Sequence, residues 1–232
     1  MTNLEHETPL TIEDIVEREE IEKITYELYY FASRGVADAV RCLIADIGLK
    51  FTNEIIDTVE ELEELHFPPM LLDCETNTRI YGHRAVLRYI ARRHGYYGLN
   101  IGEAAFIDSL TEYALDLQSN YWLLDECVEI QDTEKSSDHR IEILKTEVEH
   151  ALTYFDSYIE NIINTPETCV IKPRPLVNDR RSYLDVCLYS VLSNIHRTNK
   201  SLLPQFEYLW SYIHEWDAKK SIQNLITSGE RF

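Results

Sequence analysis

YELYYFASRGVADAVRCLIADIGLKF, Tyr26 to Phe51, decides the fold. Its opening, ITYELYYF from Ile24, is short and rich in aromatic residues, the signature of a buried strand. A turn at Arg34-Gly35 follows. Val36, Val40, Leu43, Ile44 and Ile47 then recur at helical spacing, and Gly48 stands where a C-terminal cap belongs. KFTNEII, from Lys50, reads as a second strand. Strand, helix and strand within about thirty residues form a βαβ unit, which implies a parallel pair and a right-handed crossover.

Downstream, TVEELEELH (Thr58–His66) reads as an acidic turn, followed by Phe67, Pro68 and Pro69. MLLDCETNTRIYG (Met70–Gly82) has two short apolar runs around polar turn residues, a hairpin. His83 to His94 is again helical. The first domain is thus βαβ followed by ββα over residues 25–95, with a linker at 96–102. From 103 to 232 the pattern is helical, with breaks near 131–137, 164–181 and 198–204. Ser182 and Asp185 form a capping box in S-Y-L-D. The helix they open, LDVCLYSVLSNI, is apolar on nearly every side and belongs at the centre of a bundle. Upstream, residues 1–24 form a strongly acidic extension, TIEDIVEREEIEKI, with a capping pair at Thr11 and Asp14. It reads as a loosely attached tail.

Composition narrows the function classes. The 232 residues, 44% of them apolar, suit one or two compact domains. A formal charge of −19 argues against nucleic acid and anionic membrane surfaces, which need lysine and arginine. No apolar run approaches the roughly 18 residues of a membrane span, and MTNLEHETPL has no signal-peptide texture, so a cytoplasmic protein is expected. Cys42, Cys74, Cys127, Cys169 and Cys187 are scattered without a C-x-x-C, as reduced, mostly buried thiols would be. His66, His83 and His94 lack metal-ligand spacing, and no metal is expected.

Four segments in order resemble the glutathione S-transferases, nearest the sigma, pi and mu group, over about nine-tenths of the chain. YELYYFASRG is similar to the first strand and turn carrying the family's catalytic tyrosine, here Tyr30. HRAVLRYIARRHGYYG resembles the last helix and linker of the thioredoxin-like domain. GEAAFIDSLTEYALDLQ resembles the start of the helical domain, and S-Y-L-D its buried capping box. The resemblance implies a thioredoxin-like α/β domain followed by an all-helical one. It also implies glutathione as cosubstrate, with no other cofactor, and a hydrophobic electrophile as its partner. Tyr30 would donate a hydrogen bond to the glutathione sulfur and favour the thiolate.

The implied glutathione positions are Phe67, Pro68, His83, Arg84 and Asp116, and several depart from the family pattern. The family holds the γ-glutamyl end with a Gln-Ser pair at the start of the third helix; Gly82 and His83 stand there. The cysteinyl part pairs with the residue before a cis-proline. FPPMLLD allows Pro68 or Pro69 to be that proline, the spacing to Asp73 slightly favouring Pro68. The segment that should hold the glycine end carries Glu60, Glu61, Glu63 and Glu64 without a lysine or arginine. A second arginine after the turn is replaced by Val36. Each lost charge-assisted bond is worth roughly 1.5–3 kcal/mol, so two or three would weaken binding on the order of a thousandfold. Asp116 aligns with an acid that in relatives reaches the γ-glutamyl amine across a dimer interface.

Arg84, Arg88 and Arg92 recur every four residues, as do Asp108, Glu112 and Asp116. Matched stripes of opposite sign suit a self-complementary interface, and a homodimer is expected with the stripes facing each other across its two-fold axis. Two functions stay open. One is a glutathione-dependent enzyme that conjugates electrophiles or isomerises a lipid peroxide. The other is a non-catalytic dimeric scaffold or binding protein, as the lens S-crystallins resemble transferases.

Overall fold

A computed structural model describes residues 24–129, 138–164, 175–177 and 180–232. The acidic extension before Ile24, with its capping pair at Thr11 and Asp14, lies outside these residues, as does Cys169. Strand β1 (Ile24–Tyr30) is flanked by β2 (Lys50–Ile55), parallel, and β3 (Met70–Asp73), antiparallel; β4 (Thr78–Tyr81) completes the order β2-β1-β3-β4. Tyr26 and Leu28, two apart, are fully buried, as the period of a strand requires.

Helix α1 (Asp38–Ile47) follows a short 3₁₀ turn at Gly35–Ala37 and makes the expected crossover to β2. Val40, Leu43 and Ile44 are its buried stripe. Gly48 ends it at φ 88°, its N–H donating to the carbonyls of Ala45 (3.1 Å) and Ile44 (3.2 Å).

The segment expected as an acidic turn is a helix, α2 (Val59–Leu65). Thr58 Oγ1 accepts from the Glu61 N–H at 3.2 Å, and Glu61 returns a carboxylate to the N–H groups of Thr58 (3.1 Å) and Asp57 (2.9 Å). These amides hold the Glu61 carboxyl below its ordinary range. The box lets a short helix form although it buries no residue.

Helix α3 (His83–Arg93) closes the first domain behind the β3–β4 hairpin. The second contains α4 (Ile101–Glu129), α5 (Asp138–Asn164), α6 (Tyr183–Thr198), α7 (Glu207–Asp217) and α8 (Lys220–Thr227). Helix α6 is central: Tyr183 through Leu192 are all buried. At its start Asp185 Oδ2 accepts from the Ser182 N–H (2.8 Å) and hydroxyl (2.9 Å), and Oδ1 from the Leu176 N–H (2.8 Å). Burial pushes the Asp185 carboxyl up to about 6, against these bonds.

The two halves are stitched by a buried ion pair. Arg231 Nε and Nη2 donate to Asp38 Oδ1 (2.9 Å) and Oδ2 (3.1 Å), and Ser190 of α6 donates to Oδ2 at 2.7 Å. Arg231 Nη1 also donates to the Tyr189 hydroxyl at 2.6 Å. Asp38 is fully buried, so without this cation it would be a charge in an apolar seam.

Candidate functional site

Tyr30 ends β1, and its ring lies over Gly35. A Cβ at position 35 would stand 2.5 Å from the Tyr30 hydroxyl oxygen, and the backbone there has φ 45°. Glycine is required on both counts. Among the described residues the Tyr30 hydroxyl has no hydrogen-bond partner, so its proton is available to a ligand.

The turn beyond Tyr30 is fixed from beneath by Arg41, an arginine inside the apolar stripe of α1. It is fully buried. Its Nε donates to Asn53 Oδ1 at 2.7 Å, and its Nη1 to the carbonyls of Ser33 (2.8 Å) and Arg34 (3.3 Å). The guanidinium carbon lies 4.8 Å from the Phe232 ring centroid and 5.9 Å from that of Tyr30. Arg34 in turn donates from Nε to the Phe232 carbonyl at 3.1 Å. Nothing in the sequence reading singled out Arg41. The available signal was a charge at position 41 among Val40, Leu43 and Ile44.

The second group of implied residues lies at the start of α3. The Gly82 N–H donates to the Pro69 carbonyl at 2.8 Å, and the residue adopts φ 80°. Having no side chain, Gly82 brings no cap to the free amides of the first turn. His83 is half-buried, and burial, then the charges of Arg84 and Arg88, push its imidazole down to about 4. It is therefore neutral at pH 7 and brings no cation for a carboxylate.

The cis peptide bond joins Pro68 to Pro69. The cis residue is thus Pro69, contrary to the register that the spacing to Asp73 favoured. Two adjacent prolines offer the same local pattern one residue apart, and only the pairing of β3 separates them. Pro68 precedes the cis-proline and has no N–H to give. Phe67, in turn, is not an extended pairing residue. The residue is 63% exposed, and its ring rests on Gly82, where a Cβ would meet Phe67 Cε1 at 2.7 Å.

Arg84 pairs with Glu112 and with Asp116 (3.5 Å), and Arg88 with Glu112 and with Asp108 (Nε to Oδ1, 3.2 Å). These are contacts between α3 and α4 of one chain, not across a two-fold axis as expected. Fourfold spacing shows that each helix carries a charged stripe; it does not say which copy faces it. Arg92 leaves the pattern, lying 4.7 Å over the Tyr97 ring. Asp116 is mostly exposed, with Arg84 as its partner. Asp108 also accepts from the hydroxyls of Tyr97 (2.6 Å) and Tyr183, a cluster that the charge spacing alone did not reveal. The structure therefore brings Tyr30, Arg34 and Gly35 together at one turn. Phe67, Pro68, Gly82 and His83 meet at the start of α3, and Arg84 and Asp116 meet on its outer side.

No family model matches the chain. It is 27% identical over 210 residues to glutathione S-transferase alpha I of Oryctolagus cuniculus, covering 88% of each chain. To glutathione S-transferase A3 of Homo sapiens it is 27% identical over 189 residues, 79% of each. A glutathione S-transferase of Dirofilaria immitis is 34% identical over a shorter stretch, 42% of this chain and 49% of that one. In three dimensions the chain is similar to monomeric Na-GST-3, a glutathione S-transferase of Necator americanus. The TM-score is 0.66 at 19% identity, over 88% of this chain and 97% of that one.

Proposed function

Because the chain belongs to the glutathione S-transferase superfamily, we propose that it acts on glutathione at the cleft between the Tyr30 turn and the start of α3, with weakened affinity. One observation carries this reading: a tyrosine hydroxyl without a partner among the described residues, placed at the end of β1 over a glycine that leaves room for it. There it donates a hydrogen bond to the thiol sulfur, which lowers the cost of losing the thiol proton to solvent. The thiolate lone pair then forms the bond to an electrophilic carbon, and a leaving group departs with its own electrons.

The weakened affinity rests on the opposite side. Pro68 has no N–H, His83 is neutral, Gly82 has no side chain, and the α2 segment presents glutamates to a ligand that is itself an anion. The reading divides the chain near residues 95 and 103, with both domains lining the site. Tyr30, Phe67, Pro68, His83, Arg84 and Asp116 are its site residues. A homodimer belongs to the proposal through the family resemblance alone, because the charge stripes are already paired within one chain. A cytoplasmic location belongs there too; no helix of the described residues is long and apolar enough to cross a membrane.

The test is conjugation of a reactive aryl halide at saturating glutathione. Tyr30→Phe should slow it by about 10²–10³-fold near neutral pH, the usual loss for one donor aimed at developing negative charge. The deficit should shrink at alkaline pH, where the thiol ionises unaided. Equal rates for both proteins would overturn the role of Tyr30. A wild type no faster than glutathione alone would favour the non-catalytic scaffold.

A further inference from the structure

We propose that the acidic extension docks on its own chain, in the groove between the end of α1, the start of β2 and α8. Its apolar edge, Ile12, Ile15 and Val16, lies along the groove, and its carboxylates meet Lys50 and Lys220.

The groove has a volume of about 440 Å³ and lies on the seam of the two domains. Ala45, Leu49 and Phe51 line it from the first domain and Leu225 from the second, so much of its surface is apolar. Gly48 leaves it open, since a Cβ there would have no neighbour within 4 Å. Ile24 is itself part of the lining, so the extension joins the fold at the lip of the groove. Seven residues separate Val16 from Ile24, a span of at most about 25 Å. So short a tether sets an effective concentration in the millimolar range. A contact too weak to capture a free peptide therefore suffices. Thr11 and Asp14, as a capping pair, open a helical turn that puts Ile12, Ile15 and Val16 on one side.

Charge separates this face from the others. Residues 1–23 carry eight carboxylate side chains against Arg18 and Lys23, and a chain of net charge −19 repels them over most of its surface. Lys50 lines the groove, and Lys220 precedes Ser221, which also lines it. Both lysines are exposed, and neither has a carboxylate partner among the described residues. The one acid of the lining is Glu230, whose Oε2 accepts from the Ser228 hydroxyl at 2.9 Å. The arginine face of α3 is less receptive, because Arg84, Arg88 and Arg93 already have carboxylate partners. Apolar lining, free cations and the point of attachment thus coincide in one groove. Docked there, the extension bridges α8 of the second domain to α1 and β2 of the first.

Trypsin cleavage after Arg18, followed by mass spectrometry on the full chain, reads the undocked population. The wild type should be cut about tenfold more slowly than a free peptide of residues 1–23. Two groove variants test the place: Lys50→Glu with Lys220→Glu, and separately Asn224→Trp, which fills the groove. Both alter exposed residues and leave the sequence around the cleaved bond as it is. Each should bring the rate to within about twofold of the free peptide, and having two of unlike chemistry keeps the test open if one unfolds. Replacing Ile12, Ile15 and Val16 together by serine should do the same from the other side. A wild type cut as fast as the peptide overturns the proposal. So do groove variants that stay protected, since the extension would then rest elsewhere. Protection that grows with protein concentration gives the groove to the extension of a second copy, and also overturns docking within one chain.

Discussion

The turn after β1 and the start of α3 carry the two groups of candidate residues, yet they are built on opposite terms. Beneath the turn lies a fully buried arginine whose bonds reach Ser33, Arg34 and Asn53, with an aromatic ring on its guanidinium. The α3 start has a bare glycine, an uncharged histidine and, against the glycine, the ring of an exposed phenylalanine. Geometry at a turn is kept by groups out of water, where a lost bond is expensive. Affinity at a helix start depends on side chains at the surface, where replacement costs the fold little. A site can thus keep its reactive hydroxyl in position long after its grip on the ligand has loosened.

The largest test of that contrast is Arg41→Met, which keeps most of the volume and removes the bonds. It should lower unfolding stability in urea by about 2–4 kcal/mol, because two carbonyls and an amide lose a buried partner together. A loss under about 0.5 kcal/mol, the scale of ordinary surface changes, would show that the turn stands without its support. On the other side Arg88→Glu should matter less. Its pairs with Asp108 and Glu112 are partly exposed, and their loss together with the new like charge should amount to about 1 kcal/mol. Sedimentation of the same variant should show no change in mass, since these arginines already have partners in their own chain. A shift toward monomer would return the stripes to an interface.

The smallest effect concerns pH. The His83 imidazole is pushed from its ordinary 6.5 down to about 4 in the folded protein. Between those values the unfolded chain takes a proton that the folded one refuses, so stability falls as pH drops through this window. His83→Gln should remove that part of the acid sensitivity, sparing about 1–3 °C of the melting-temperature loss between pH 7 and 5. Identical pH curves would mean that His83 is wetter than its surroundings indicate.

Much of the frame was legible because it is local. The helical spacing of Val40, Leu43, Ile44 and Ile47, the cap at Gly48 and the all-apolar helix after Ser182 each depend on neighbours within a few residues. The T-x-x-E of Thr58 and Glu61 was equally local; read as a turn, it is a helix held by its box rather than by burial. What stayed hidden depends on distant neighbours. The register of Pro68 and Pro69 is set by β3, the partners of the arginine stripe by how α4 lies on α3, and the contact of Phe67 with Gly82 by where the chain runs after α2. Periodicity names a face; it does not name what the face meets.

The Asp38–Arg231 pair has a consequence in time. The two residues are 193 positions apart. At a synthesis rate of roughly 5–20 residues per second, Asp38 leaves the ribosome on the order of ten to forty seconds before its cation exists. Once α6 (Tyr183–Thr198) has followed, the seam between α1 and α6 can close only around an unmatched carboxylate until Arg231 is made. The nascent first domain must therefore wait, partly open and available to chaperones, for Arg231 to emerge.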